Sequence, residues 1–292
     1  MEKRPLGNTG HKVGIFSLGG ESTIKAEGED KQAIELINTA LDLGINYIDT
    51  APAYGPNRSE KRIGKIIKEG RRKEFYLATK CDKRTKEDAW KQINQSIEKL
   101  GATPNCIQLH HLDKIEEIEK IFGPNGAMKS LLKAKNQGLT KYLGVTGHSN
   151  PSIIMEALRR YPFDTVLGAL NIADPYHYCF QATLIPYCES KKIGYIAMKT
   201  CARGKIFNND DKISMQSCLD YVWSIPGVST AIVGIENEIQ LRRNIEIAKN
   251  FKKLSYMKKH ELEQLVESNQ EKALYFRKGN KWLDDDFIQL VR

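Results

Sequence analysis

Short apolar segments that favour β-strands alternate with longer segments of helical periodicity along the whole 292-residue chain. This order predicts a parallel sheet, because each helix returns the chain to the edge of the sheet where the previous strand began. Eight such strands close a barrel. We therefore predict an α/β fold, a (β/α)8 TIM barrel. The predicted strands are Val13–Gly19, Asn46–Asp49, Phe75–Lys80, Cys106–His110, Tyr142–Thr146, Thr165–Leu170, Gly194–Met198 and Ser229–Val233.

The helical segments carry apolar residues at the i, i+3, i+4 spacing of a helix with one buried face. They are Lys31–Leu43, Ser59–Lys68, Lys86–Leu100, Ala127–Asn136, Pro151–Arg160, Gln181–Lys191, Ile213–Trp223 and Glu238–Lys249. The connecting loops are too short to form an interdomain linker, so residues 1–292 are expected to form one barrel domain. An extra helix over Ser255–Ala273 and a tail to Arg292 lie outside the eight-fold count. They are expected either to cover the barrel mouth or to pack on its wall.

The composition is typical of a globular protein. The chain is 40% hydrophobic and 28% charged, as globular proteins are. Its N-terminus has no apolar leader and no long uncharged apolar run follows, so we expect a cytoplasmic protein without a membrane segment. The six cysteines are scattered and are expected to be reduced thiols. The net charge of +9 is spread over helix ends and polar faces, which argues against a nucleic-acid-binding role.

Four reactive side chains stand at the ends of neighbouring predicted strands. Asp49 ends the second strand and Tyr54 follows it, Lys80 ends the third and His110 ends the fourth. The carboxyl ends of barrel strands surround one mouth, where such enzymes place their active sites. We therefore expect these four residues to act together.

The four residue types suit the reduction of a carbonyl group. Hydride arriving at carbon leaves an alkoxide that needs a proton, and tyrosine is a weak acid with a reference pKa of about 10. A nearby ammonium lowers a tyrosine pKa, and we expect Lys80 to do so for Tyr54. Asp49 would keep Lys80 charged, and a neutral His110 would orient the substrate oxygen. The pattern predicts reversible reduction of an aldehyde or ketone to an alcohol, with Tyr54 as general acid and base.

Longer segments around these residues are more specific than the residues alone. The chain reads RPLGNTGHKVGIFSLGG from Arg4, DTAPAYGPNRSEKRIG from Asp49, FYLATK from Phe75, QSIEKLGATPNCIQLH from Gln95 and IPGVSTAIVGIENEIQLRRNI from Ile225. In this order they resemble the aldo-keto reductase family over nearly the whole chain. The resemblance implies an N-terminal β-hairpin, a nicotinamide dinucleotide, a small carbonyl substrate, and a monomer or weak homo-oligomer.

The resemblance also implies a set of cofactor contacts. Relatives hold the nicotinamide carboxamide after the fifth strand and on the sixth, where this chain has Thr146, His148 and Asn171. Met198 stands near the position of an aromatic residue that stacks on the nicotinamide in many relatives. Lys199 and Arg203 would lie near the pyrophosphate.

The choice between NADP and NAD stays open at this point. Members specific for NADP grip the 2'-phosphate with a lysine and an arginine, where this chain has Gly234 and Gln240. Glu236 lies between them and would oppose a phosphate. Arg243 and Asn244 match residues that approach the adenine. Family habit favours NADP(H), and NAD(H) remains the alternative.

Two other functions remain open from sequence. One is a dinucleotide-binding, redox-sensing regulatory subunit with little turnover, which the intact catalytic residues argue against. The other is a metal-dependent hydrolase on the same fold, which would need more His, Asp and Glu at strand ends. His110 and His111 must face opposite sides, so we predict no metal site there.

Overall fold

A computed structural model of the protein describes residues 1–207 and 212–277. Within them, β1 and β2 form an antiparallel pair, and eight parallel strands close a barrel in the order β10-β3-β4-β5-β6-β7-β8-β9. This confirms the predicted barrel and its N-terminal hairpin. The strands are β1 Lys3–Pro5, β2 Lys12–Gly14, β3 Phe16–Ser22, β4 Tyr47–Asp49, β5 Tyr76–Cys81, β6 Cys106–Leu109, β7 Tyr142–Gly147, β8 Thr165–Ala169, β9 Gly194–Met198 and β10 Val228–Ile235.

Helices surround the barrel and bury their apolar faces against it. They are α1 Asp30–Asp42, α2 Arg58–Lys68, α3 Lys86–Leu100, α4 Ile115–Phe122, α5 Met128–Asn136, α6 Pro151–Arg160, α7 Leu184–Ser190, α8 Met215–Trp223, α9 Glu238–Lys249, α10 Tyr256–Val266 and α11 Gln270–Ala273. Some of them begin with a side-chain cap: the Thr85 hydroxyl accepts a hydrogen bond from the Asp88 amide at the start of α3, and the Asn150 side chain accepts one from the Ser152 amide at the start of α6. In the two described ranges, none of these helices has the length and apolar character needed to cross a membrane.

The hairpin closes the amino end of the barrel. Leu6 and Val13 join a buried interior cluster with the tyrosines of three strands. The rings of Tyr47 and Tyr76 stack at 5.4 Å, and Tyr142 donates a hydrogen bond to the carbonyl of Thr9. The floor of the barrel is therefore apolar and aromatic, which leaves the opposite rim for polar side chains.

Strand register places the polar residues at that rim. Asp49 pairs with Gly19 on one side and with Ala78 on the other, and Lys80 pairs with Gln108. Alternation along β5 puts Lys80 on the same inward face as Ala78. Parallel pairing in this register brings Asp49, Lys80 and Gln108 together at the mouth.

Elements differ from the prediction by more than two residues in four places. The first predicted strand is divided, because Val13 belongs to the hairpin and the barrel strand begins only at Phe16. Helix α4 was not predicted, since it is one short, acidic segment with few buried residues. The predicted helix Gln181–Lys191 begins later, at α7, because the Asp174 carboxylate holds the amide of Gln181 in the preceding loop. The predicted C-terminal helix is broken into α10 and α11.

The C-terminal helices are tied to the loop that follows β8. The guanidinium of Arg277 is fully buried, forms an ion pair with Asp174 and donates to the carbonyl of Ala169 at 3.2 Å. The carbonyl of Ala273 accepts from Asn171 at 3.1 Å. The predicted tail over residues 278–292 lies outside the described residues.

Candidate active site

A buried ion pair forms the base of the mouth. The Lys80 ammonium binds one carboxylate oxygen of Asp49, and both side chains are almost completely buried. Lys80 also donates to the carbonyl of Thr50 at 2.8 Å, and the Gln108 amide donates to the other Asp49 oxygen at 2.9 Å. Burial works against the charged amine, but Asp49 and Tyr54 outweigh it and raise the pKa of Lys80. The site therefore contains a fixed cation.

Tyr54 lies directly beside that cation. The Lys80 amine is 4.7 Å from the centre of the Tyr54 ring, and the ring of His110 packs against Tyr54 edge to face at 6.2 Å. The loop after β4 delivers the tyrosine through a tight turn. Its glycine, Gly55, has φ of 60°, and a Cβ there would meet the carbonyl oxygen of Lys25 at 2.2 Å, so only glycine fits.

The protonation of Tyr54 differs from the expectation drawn from sequence. Burial raises the pKa of Tyr54 to about 12, although Lys80 acts in the opposite direction. The predicted net lowering of that pKa was wrong, because desolvation of a buried phenolate outweighs one neighbouring ammonium. At neutral pH the side chain thus holds its proton, while Lys80 stands ready to stabilise the phenolate that proton transfer leaves.

His110 is neutral for the same physical reason. Burial, reinforced by the charge of Lys80, holds its pKa well below the usual range. Its backbone amide donates to the carbonyl of Cys81 at 2.8 Å, and Arg84 binds its carbonyl at 2.9 Å. The ring is therefore held as an uncharged hydrogen-bonding group next to Tyr54.

Sequence reasoning missed the chain of polar residues behind His110. His111 Nε2 lies 2.6 Å from an oxygen of Asp113, and His111 Nδ1 lies 2.9 Å from Nδ1 of His148. Donor atoms of these three residues lie within 4.8 Å of one another, close enough to suggest a metal site. However, His111 uses one nitrogen towards each neighbour, so the donors follow a line and do not converge on a point. Only the adjacent histidines signalled this arrangement in the sequence.

Two predicted cofactor residues are used to hold loops together. The Thr146 hydroxyl accepts the backbone amide of His111 at 2.9 Å. The Asn171 amide donates to the carbonyls of Lys199 and Ala273, and its oxygen accepts the amide of Ala173. Both side chains are buried. The structure thus places Thr146 and Asn171 just behind the rim.

The end of β9 carries the predicted cations. Met198 is buried in the interior cluster of the barrel. Glu21, at the end of β3, binds Arg203 at 3.1 Å and approaches Lys199 at 3.8 Å. Burial opposes the charge of Glu21, but Lys25 and the other cations lower its pKa to about 2. Glu21 was not predicted, and its position at a strand end was the signal that could have found it.

The end of β10 leads into α9. The side-chain oxygen of Gln240 accepts a hydrogen bond from the backbone amide of Glu236 at 2.8 Å. This bond closes the turn between β10 and α9. Arg243 is exposed on α9. Asn244 is buried, and its side-chain nitrogen has no hydrogen-bond partner within the described part of the chain. An orphaned donor of this kind fits a ligand that offers acceptor atoms.

Residues 12–217 match the sequence model of the aldo/keto reductase family. The chain belongs to the aldo/keto reductase family. It is 32% identical to L-galactose dehydrogenase from Arabidopsis thaliana over 70% of this chain and 66% of that protein's length. A solved structure of a putative aldo-keto reductase from Pseudomonas aeruginosa is 26% identical, with a TM-score of 0.69 over 85% of this chain and 94% of the other.

A third relative shows the same fold at lower identity. An aldo-keto reductase from Klebsiella pneumoniae, solved in complex with NADPH, is 19% identical, with a TM-score of 0.74 over 91% of this chain and 95% of the other. Membership of the family confirms the recognition made from the sequence. It also supports the predicted nicotinamide cofactor and the assignment to the oxidoreductases.

Proposed function

We propose that the protein transfers hydride between a reduced nicotinamide dinucleotide and an aldehyde or ketone, with Tyr54 donating the proton. The observation that carries this proposal is the contact between a half-buried, protonated tyrosine and a buried lysine whose charge Asp49 fixes. Burying a charge is costly unless it is paired, and strongly perturbed ionisable groups cluster at functional sites. The arrangement suits a reaction that generates an alkoxide.

The chain's own residues account for the proton step. Tyr54 gives its proton to the developing alkoxide, and the Lys80 ammonium compensates the negative charge that appears on the phenolate. A neutral His110 donates a hydrogen bond to the same oxygen and orients it. In the reverse direction the phenolate removes the proton of an alcohol, so the same three residues serve both directions.

The described residues fit a nicotinamide dinucleotide. Such a cofactor supplies the hydride when it is bound. Lys199 and Arg203 offer positive charge for the pyrophosphate, and Arg243 with the orphaned amide of Asn244 offers donors for the adenosine end. Met198, Thr146 and His148 belong to the strand ends that we propose face the nicotinamide. The relative from Klebsiella pneumoniae binds NADPH, and we propose NADP(H) with NAD(H) as the alternative.

A labelling experiment tests the proposal. The purified protein is mixed with a panel of aldehydes and ketones and with NADPH or NADH deuterated at the transferred position. We expect deuterium on the carbinol carbon of at least one product. Tight binding of dinucleotide with no turnover of any carbonyl would contradict this function and would favour the redox-sensing alternative.

A further inference from the structure

Three side chains outside the proposed catalytic group form a continuous hydrogen-bond chain that ends at the mouth. Asp113 contacts Nε2 of His111 at 2.6 Å, and Nδ1 of His111 contacts Nδ1 of His148 at 2.9 Å. Ser149 donates to the other oxygen of Asp113 at 2.7 Å. Both ring nitrogens of His111 are therefore engaged, so the protonation of one residue dictates that of the next.

The backbone holds His111 in the position that makes both contacts. Its φ of 62° lies in the left-handed region, which few residues other than glycine adopt. Its amide donates to the Thr146 hydroxyl at 2.9 Å, and Arg84 binds its carbonyl at 3.0 Å. These bonds connect the loop after β6 to β7 and to the loop after β5. The chain of three residues is thus part of a fixed framework.

Hydrogen-bond logic assigns each proton in the chain. A carboxylate only accepts, so Asp113 requires a proton on Nε2 of His111. When His111 is neutral, its Nδ1 then has no proton and must accept from Nδ1–H of His148. A neutral His148 with its proton on Nδ1 leaves Nε2 as an acceptor. Protonation of His111 reverses the last bond, because both of its nitrogens then donate, and Nε2 of His148 becomes a donor.

We propose that Asp113 and His111 are positioning residues that set the tautomer of His148, so that Nε2 of His148 meets a bound ligand as an acceptor while His111 is neutral and as a donor once His111 is protonated. The identity of the ligand as cofactor or substrate rests on the proposed function. The assignment of the tautomer does not.

The charges around the chain support this assignment. Burial opposes the charge of Asp113, but hydrogen bonds from His111 and Ser149 lower its pKa to about 2. The bond to Asp113 raises the pKa of His111; Glu117 acts in the same direction, and burial and Arg84 oppose it. Burial, together with Lys199, lowers the pKa of His148 to about 3. Hence Asp113 stays a carboxylate and His148 stays neutral while His111 titrates.

His148 lies at the carboxyl end of the barrel, where the mouth is. It follows β7, and Lys199, His111, Asp113 and Lys80 all act on its charge. Within the two described ranges, His148 forms its side-chain hydrogen bond through Nδ1, and no residue there bonds its Nε2. An acceptor nitrogen in this place fits an N–H or O–H donor. The carboxamide of a nicotinamide and a hydroxyl beside the substrate carbonyl both offer one.

The first test reads the tautomer directly. Two-bond ¹H–¹⁵N spectra of the imidazole rings distinguish Nδ1–H from Nε2–H, and the chain has only six histidines to assign. In the wild-type protein we expect His148 to carry its proton on Nδ1 at high pH and on Nε2 after His111 titrates. A proton on Nε2 at high pH would overturn the proposal.

Two variants distinguish the effect of the hydrogen-bond chain Asp113–His111–His148 from general effects on folding. In Asp113→Asn, we expect Ser149 to donate to the amide oxygen, so that the amide nitrogen donates to Nε2 of His111. The proton of His111 then lies on Nδ1 and is donated to Nδ1 of His148. We therefore expect Nε2–H on His148 at all pH values. In His111→Phe, we expect a mixture of tautomers that pH does not change. His260→Phe is the matched control, because His260 is also half exposed and faces an acidic residue. Unchanged Nδ1–H on His148 in both variants would refute the idea.

The second test identifies the ligand group. Asp113→Asn is expected to lower kcat/KM about tenfold, the effect of replacing one hydrogen bond by a mismatched pair of donors. If the carboxamide is the partner, the loss disappears with an acetylpyridine analogue of the cofactor. If a substrate hydroxyl is the partner, the loss appears with glyceraldehyde and not with propanal. No loss with any pair would contradict a positioning role. If no carbonyl is reduced, the spectra still decide the tautomer, so the two proposals fail separately.

Discussion

The two sides of the barrel mouth differ in how their charged side chains are buried and paired. At the ends of β4, β5 and β6, Asp49, Lys80 and Gln108 are buried and bonded to one another. On the other side, Glu21 lies near the end of β3 and Arg203 lies in the segment that follows β9, and both side chains are partly exposed. Buried charges need fixed partners because removing one is costly, whereas exposed charges in water can be exchanged at small cost.

This difference explains which side follows the family pattern. The residues of the buried side are where the aldo-keto reductase resemblance predicts them, whereas Gly234 and Gln240 replace expected cations on the exposed side. A rigid ion pair supports chemistry that requires fixed geometry. If the exposed side holds the cofactor as we propose, a loop and a helix end leave those contacts adjustable.

The largest expected effect concerns the buried side. Tyr54→Phe should lower kcat for carbonyl reduction by roughly 10³-fold, because it removes the proton donor and leaves the packing intact. Tyr195→Phe is the control, since it removes the same hydroxyl from a tyrosine in β9 whose oxygen is buried and has no hydrogen-bond partner in the described ranges. Steady-state assays and thermal melts check both variants. Full activity in Tyr54→Phe would mean that another group supplies the proton.

Lys80→Met should reduce activity less than Tyr54→Phe but also destabilise the fold. The loss of the cation should lower kcat by roughly 10²-fold. It also leaves the carboxylate of Asp49 buried without its counter-ion, which typically costs about 3–5 kcal/mol. Urea unfolding measures that loss.

A double variant separates these two effects of Lys80. Adding Asp49→Asn to Lys80→Met removes the buried charge, so stability should return towards that of the wild type while activity stays low. A double variant no more stable than Lys80→Met would show that the pair does not act as a unit.

The same contrast explains how far the sequence could be interpreted. The barrel strands and the convergence of the four proposed catalytic side chains could be predicted, because period-2 apolar patterns and strand-end polar residues are local signals. The chain from Asp113 to His148 could not, because it depends on a left-handed backbone at His111 and on contacts between distant loops. The direction of the Tyr54 pKa also failed, because the depth of burial is set by the whole fold.

A carboxylate outside the mouth tests the claim that a buried charge needs a fixed partner. Asp220 on α8 is 8% exposed, and its Oδ1 has no partner among the described residues. Burial raises its pKa to about 6. In the unfolded chain the Asp220 carboxyl ionises near pH 3.9. The contribution of Asp220 to the free energy of unfolding is therefore complete below that pH and is lost as pH rises through about 6.

Asp220→Asn should therefore stabilise the protein by about 1–3 kcal/mol at pH 7.5. At pH 4 it should have almost no effect, because the aspartate is then protonated in the folded state. Urea unfolding at the two pH values checks this. Equal effects at both would show that the carboxylate finds solvent or a partner.

The smallest expected effect lies on the exposed side. Gln240→Arg should shift the ratio of kcat/KM for NADPH over NADH about tenfold towards NADPH, because an added guanidinium can form a charge-assisted bond to the 2'-phosphate. The gain is limited because Gln240 now accepts the amide of Glu236, which the arginine cannot do. Gln264→Arg on α10 provides the same charge change on another exposed helix. If both variants alter the ratio equally, the effect arises from net charge alone, and the start of α9 does not hold the adenosine end.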